Sequence, residues 1–179
     1  MRVVPLVIEE EKMNQVKEIC GEEPIFRLLP FRKMKVGIVT TGNEVLSGRI
    51  NDQFTPVVGK KLEEAGMEVM GNVLSGDDSE RVTEAIRQWL DKGAEMVVCT
   101  GGMSVDPDDR TPLAIRNAAD TVITYGAPVL PGAMFMLAYA GEVPVVGLPG
   151  CVMYARRTIF DLVLPRIAAG ERLTAEDFT

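Results

Sequence analysis

The 179-residue chain has no histidine, and that absence removes more chemistry than any other feature of its composition. Histidine is the usual general base near neutral pH, so Ser-His and Cys-His triads and most catalytic zinc sites go with it. Cysteine is scarce. Cys20, Cys99 and Cys151 are an odd count without CxxC spacing, which argues against a disulfide framework or a zinc site and fits a reducing compartment. Cations are in deficit: 19 Lys and Arg against 26 Asp and Glu give a formal charge of -7. General nucleic-acid binding needs a broad basic face and is excluded, although local amides or a metal can still favour a small anion. No apolar run reaches the ~20 residues that cross a bilayer, and the N-terminus lacks a signal-peptide pattern. A cytoplasmic location with no membrane partner is expected. GxxxxGK[ST] and a strand-borne GxGxxG are missing, which rules out a P-loop NTPase and a Rossmann dinucleotide fingerprint.

What is present reads as a globular domain, 46% apolar and 25% charged. Residues 1–33 stand apart as a linker or N-terminal extension with one charged, helix-like stretch, and suggest an excerpt of a larger protein. From Met34 onward the pattern alternates. "MKVGIVTTGNEV", "MEVMGNVL" and "AEMVVCT" are short apolar runs that close in polar residues, the mark of buried strands. Between them Phe54, Val58, Leu62 and Ala65, then Val82, Ala85, Ile86 and Trp89, recur at helical spacing. "TPLAIRNAA" predicts a short helix with Thr111 as N-cap and Pro112 at the first position. "MFMLAYAGEVPVVGLPG" predicts two strands about a turn at Gly141, with its methionines in the core. Residues 151–170 read as one last helix, bent at Pro165, with at least one of Arg156 and Arg157 as a solvated cation. The pattern assigns 34–170 to the domain and 171–179 to a tail. It predicts an α/β fold with a mainly parallel sheet covered on both faces.

Ligands in such folds sit beyond the carboxyl ends of the strands. The stretches "TTGNE", "SGDD", "TGGMSVDPDD" and "GLPG" each follow a strand there, so four polar loops should converge on one rim. Gly101 and Gly102 let backbone approach an anion closely. Asp108 and Asp109 are not needed to cap the helix that Thr111 starts, and a carboxylate beside a phosphate loop is a natural magnesium ligand. Asp77 reads two ways, as a site carboxylate or as an N-cap with Glu80 as capping-box partner. Gly150 precedes the last helix, whose amides would offer a further anion site and lower the Cys151 thiol pKa. Packing is the favoured role for Cys151, and Cys99 is expected to be buried and inert.

Taken in order, "TGNEV", "TGGMSVDPDDRTP" and "GLPG" resemble the molybdopterin-binding domain family. It includes the adenylyltransferases and molybdotransferases of molybdenum cofactor synthesis, the enzymatic halves of gephyrin and a domain of the competence-damage-inducible proteins. The resemblance implies a three-layer α/β/α sandwich that binds molybdopterin or its adenylylated form. It implies a transferase with ATP or molybdate as co-substrate and Mg as cofactor, in a homo-oligomer, trimer or dimer. Carried onto this sequence, Asp77, Asp109 and the weaker Glu44 are the catalytic candidates. Asp108 and Asp109 are the metal candidates. Thr41, Gly42, Thr100, Gly101, Gly102, Ser104, Pro149 and Gly150 are the pterin- and phosphate-binding candidates. Molybdotransferases usually carry lysine where "PGAMF" has Ala133. Two alternatives stay open: a non-catalytic cofactor-binding or sensor module, and a nucleotide pyrophosphate-processing protein of the competence-damage-inducible type.

Overall fold

A computed structural model of the chain describes residues 7–22, 26–104, 106 and 109–179. The chain divides into two units, Met1–Pro30 and Phe31–Thr179. The first contains α1 (Glu10–Cys20), which buries none of its residues. The second is built on a six-stranded sheet.

Its elements run β1 (Lys35–Thr41), α2 (Asn43–Leu46), α3 (Phe54–Glu64), β2 (Glu68–Ser75), α4 (Ser79–Asp91), β3 (Met96–Thr100), α5 (Thr111–Ala118), β4 (Thr121–Tyr125), β5 (Met136–Ala140), β6 (Val143–Leu148) and α6 (Ile159–Ala168). The strand order is β2-β1-β3-β6-β5-β4. Neighbours from β2 to β6 pair in parallel, while β5 is antiparallel to both β6 and β4. Because side chains alternate across a strand, each buried strand feeds two cores. Val36, Ile38, Met96 and Val98 pack with Val58 and Leu62 of α3 and with Phe160 and Val163 of α6. Val39, Val97 and Cys99 pack on the other face with Val82, Ile86 and Trp89 of α4 and Ile115 of α5. The result is the three-layer α/β/α sandwich that the sequence predicts. Trp89 is pinned as well as packed, its indole N–H donating to the Ile38 carbonyl at 3.0 Å.

Three local readings are corrected. Residues 151–170 are not one helix: Gly150–Met153 form a 3-10 turn, and α6 begins only at Ile159. Thr158 and Asp161 set that start as a capping box, with the Thr158 N–H donating to Asp161 at 2.7 Å. The sequence reading also passes over β4, an edge strand paired with β5 across an irregularity between Val122 and Thr124. Finally, residues 171–179 are packed against the domain. Leu173 is buried and Phe178 stacks on Phe135, ring centroids 5.9 Å apart. Among the described residues no helix is long and apolar enough to cross a membrane.

The chain leaves β1 outward to β2, then returns past it to β3. The carboxyl ends of β1 and β3 therefore flank the topological switch point, the place where open α/β sheets hold ligands.

Candidate functional site

The loops after β1, β2 and β3 meet at that switch point. They enclose an open cleft of about 330 Å³ lined by Thr41, Gly42, Asn43, Asp77, Gly102, Asp106, Asp109, Arg110 and Thr111. Its floor is a wedge. The Thr41 hydroxyl, at the end of β1, lies 3.1 Å from the Thr111 hydroxyl at the start of α5, and both residues are buried. Gly101 and Gly102 fit against this pair with φ of 84° and 54°. A Cβ on Gly101 would stand 2.3 Å from the Thr41 carbonyl oxygen, and one on Gly102 would stand 2.8 Å from the Thr111 hydroxyl. Only glycine combines that φ with that approach.

Two aspartates rise from the floor, each held through the backbone of another residue. Asp77 accepts a hydrogen bond from the Asn43 N–H at 3.2 Å, while the Asn43 side-chain oxygen accepts from the Asp77 N–H at 3.4 Å. This reciprocal latch ties the loop after β2 to the loop after β1. The reading of Asp77 as an N-cap is corrected: its neighbour Asp78 caps α4, accepting from the N–H groups of Glu80 at 2.8 Å and Arg81 at 3.2 Å. One residue of register leaves Asp77 to the cleft. Asp109 accepts from the Ser104 N–H at 2.6 Å, and its own N–H donates to the Asp106 carbonyl at 3.0 Å, folding the acidic loop back on itself. The Tyr125 phenol on β4 is pushed above its ordinary pKa, first by partial burial and then by the negative charge of Asp109.

Of the sequence-derived candidates, the cleft brings together Asp77, Asp109, Thr41, Gly42 and Gly102. Gly101 lies in the floor behind Gly102, and Ser104 takes part through its N–H on Asp109. Thr100 is fully buried and its hydroxyl donates to Thr40, away from the cleft. Glu44 is exposed in the first turn of α2, and neither it nor Pro149 or Gly150 lines the cleft. Asp108 lies outside the described residues. The cleft adds Asn43, Asp106, Arg110 and Thr111, which the sequence reading leaves unassigned as site residues. Thr111 is also not the helix cap expected from its place before Pro112. It is the first residue of α5, and its hydroxyl is spent on Thr41. The lowered thiol pKa expected at Cys151 is corrected too. Partial burial raises it, and the adjoining backbone hydrogen bond only partly opposes this. Complete burial likewise raises the Cys99 thiol.

Among the described residues the cleft therefore has no nucleophile paired with a base. Those residues offer the one hydroxyl proton that the Thr41–Thr111 pair leaves over, the Gly101–Gly102 turn, the Arg110 guanidinium and carboxylates, groups that position an anion and balance charge. Among the described residues, no three His, Cys, Asp or Glu side chains stand close enough to hold a metal ion by themselves. Magnesium asks less than that, because it is commonly held by one or two carboxylates while substrate phosphates and water complete its shell. The hard oxygens of Asp77 and Asp109 fit that mode.

Fold and cleft together define a class: a doubly wound α/β domain with a cleft made of strand-end loops. Within it, residues 37–169 match the family model described as a probable molybdopterin binding domain, and the chain belongs to that family. Solved structures agree on the fold. A molybdopterin biosynthesis protein from Mycobacterium abscessus superposes with a TM-score of 0.66 at 21% identity, covering 78% of this chain and 94% of that one. The MoeA molybdopterin biosynthesis protein of Pyrococcus horikosii superposes at 0.61 with 26% identity, covering 78% of this chain and 35% of that one. Among curated proteins, a CinA-like protein of Mycobacterium avium is 35% identical over 77 residues, 43% of this chain but only 18% of that protein's length.

Proposed function

We propose that the domain binds molybdopterin, the phosphorylated pterin dithiolene, in molybdenum cofactor biosynthesis and supports transfer of an adenylyl group or insertion of molybdate. The observation that carries this reading is the convergence of Asp77, Asp109 and the Gly101–Gly102 turn on one cleft within a chain of the molybdopterin-binding family. The glycine turn and Thr41 would receive phosphate. Asp77 and Asp109 would hold magnesium through water and the ligand's own oxygens, and the bound ion would supply charge neutralisation at phosphate. Neither transfer requires an enzyme-bound intermediate, so positioning and electrostatics suffice. The residues present suit that division of labour: the Asn43 and Ser104 backbone N–H groups fix the two carboxylates, and no histidine or activated thiol is needed.

The test is incubation with molybdopterin, Mg-ATP and molybdate, read as AMP transfer or release, together with direct pterin binding. Asp109→Asn and Asp77→Asn should each lower turnover by on the order of 100-fold or more, as expected when a group positioning reacting charge is neutralised. Turnover that survives both substitutions sinks the catalytic reading. Pterin binding without any turnover in the unaltered protein leaves the cofactor-binding module.

The CinA-like match favours a second reading, a nucleotide pyrophosphate-processing domain. Ala133 favours instead a non-catalytic cofactor-binding module, because the lysine that molybdotransferases usually carry is missing there. Titrating ADP-ribose against molybdopterin separates the first reading from the second. Preference for ADP-ribose, lost in Asp109→Asn, would select the second.

A further inference from the structure

A second concavity, larger than the aspartate cleft, lies elsewhere on the domain. It is a groove of about 800 Å³ between the outer side of α3 and the segment that leads into α6, and it shares no lining residue with the cleft. Lys60, Lys61, Arg156 and Arg157 line it, against two carboxylates among the described residues, Glu64 and Asp161. Such a concentration of positive charge is unexpected in a chain of net charge -7, and the states of the individual groups sharpen it.

Asp161 is already consumed. It caps α6 through the Thr158 N–H and pairs with Lys61, both partners being half-buried. Lys61 also donates to the Arg156 carbonyl at 3.1 Å, fixing the backbone that carries both arginines against α3. The arginine side chains themselves make no hydrogen bond or ion pair among the described residues, and both residues are exposed. Lys60 is nearly as free, since Glu64 stands 3.9 Å away and both side chains are mostly in solvent. Three uncommitted cations therefore project from a backbone that a half-buried ion pair holds in place. The groove also has an apolar side in Pro56, Val57 and Leu162, the last of which is 60% exposed.

We infer that this groove is a second ligand site, one that takes a phosphorylated small molecule with an apolar or aromatic body, the chemistry of a nucleotide. Guanidinium forks match phosphate oxygens in pairs, and a concave site of this size is in the range that encloses a small molecule. A macromolecular acidic partner would need a broader basic surface than one groove on an acidic domain. The inference is independent of the pterin reading, because it uses none of the cleft residues.

The test is ADP titration by calorimetry at low salt on the unaltered protein without divalent cations, where the cleft's carboxylates repel phosphate, and groove binding is read as the part that depends on the two arginines. Saturable binding with Kd of about 1 mM or tighter is expected. Removing both forks in Arg156→Ala/Arg157→Ala should weaken it by roughly tenfold or more. Raising the salt from 50 to 500 mM should weaken it in the parent and hardly in the arginine variant, as the Debye length falls from about 14 to about 4 Å. Both arginines are exposed, so the variant's far-UV spectrum and unfolding midpoint should match the parent. Absence of saturable binding at 10 mM ADP (about ten times the expected Kd), or equal affinity with and without the arginines, overturns the inference. Failure of molybdopterin to bind the unaltered protein would leave it untouched.

Discussion

Gly101→Ala tests the architecture of the cleft floor most directly, because its cost has two separable parts. The first is conformational. At φ of 84°, an L-residue sits in the left-handed region at about 1–2 kcal/mol. The second is steric. The new Cβ would lie 2.3 Å from the Thr41 carbonyl oxygen, 2.8 Å from its hydroxyl and 3.1 Å from its carbonyl carbon. Two of these are backbone atoms of the buried strand β1, which cannot swing aside as a side-chain tip would. Forcing such a contact costs roughly 1–3 kcal/mol. Gly141→Ala is the control: φ is 58° there, and nothing lies within 4 Å of its would-be Cβ, so only the conformational part applies. The two variants should differ by about 1–3 kcal/mol. With urea m-values of about 1–3 kcal/mol/M, that separates their midpoints by on the order of 1 M. Trp89, the single tryptophan and 6% exposed, supplies the fluorescence signal. Gly101→Ala should also weaken pterin binding, whereas Gly141→Ala should not. Equal midpoints for the two variants would refute the wedge, since the loop after β3 would then have slack against Thr41.

The division of labour between adjacent aspartates gives a second expectation. Asp78→Ala, which strips two N–H groups of α4 of their acceptor, should cost about 1 kcal/mol and leave pterin affinity in place. Asp77→Ala should do the reverse, weakening the ligand with a stability change under about 0.5 kcal/mol; a swap of these outcomes would return Asp77 to the role of cap. A third concerns pH. Asp177 is held below the ordinary carboxylate range by the Thr174 N–H first and Arg166 second. A carboxyl depressed in the folded state stabilises above its unfolded pKa and loses that contribution as pH falls through the folded value. Unfolding curves of the parent and Asp177→Asn should therefore differ at neutral pH and converge below the carboxylate range; a gap that persists in acid is inconsistent with this. Thiol labelling is the fourth: Cys99, fully buried, should react only on unfolding, and Cys151, its thiol pKa raised, should label slowly at neutral pH. Fast labelling at Cys151 would restore it as a reactive thiol.

The layered fold was legible because its signals are periodic. The run at Val36, Ile38 and Val39 is fully buried, as a strand covered on both faces must be. Val82, Ala85, Ile86 and Trp89, read from helical spacing alone, form the buried side of α4. β4 was missed because an edge strand has no buried run to announce it, and its residues are exposed or half-buried. The break before α6 was written in the chain as Thr158 and Asp161, a capping-box spacing. It was masked by the apolar residues on either side, which continue the helical period across the gap. Asp77 and Asp78 show a harder limit. Identical neighbours offer identical chemistry, and only the phase of α4 decides which caps and which faces the cleft. Asn43, Arg110 and Thr111 were invisible for a different reason: their roles come from long-range meetings, such as Thr41 with Thr111, that no local pattern encodes.

The distribution of charge carries one consequence for both proposed sites. Among the described residues, Asp77, Asp106 and Asp109 line the cleft with Arg110 as its single cation, so a bare phosphate arriving there meets net repulsion that the glycine amides only partly offset. A divalent cation removes that repulsion, and it binds best where carboxylates and phosphate oxygens can share it. In the groove Arg156, Arg157 and Lys60 already supply the positive charge, and a magnesium ion on the ligand competes with them for the same oxygens. The two sites should therefore respond to magnesium with opposite sign. Adding magnesium to the unaltered protein should tighten molybdopterin at the cleft, while the part of ADP binding that is lost in Arg156→Ala/Arg157→Ala should weaken. Calorimetric titrations at matched ionic strength measure both. A common direction of response would show that the cleft does not engage its ligand's phosphate through its carboxylates, or that the groove does not engage it through its arginines. The site whose sign is wrong identifies which of the two readings fails.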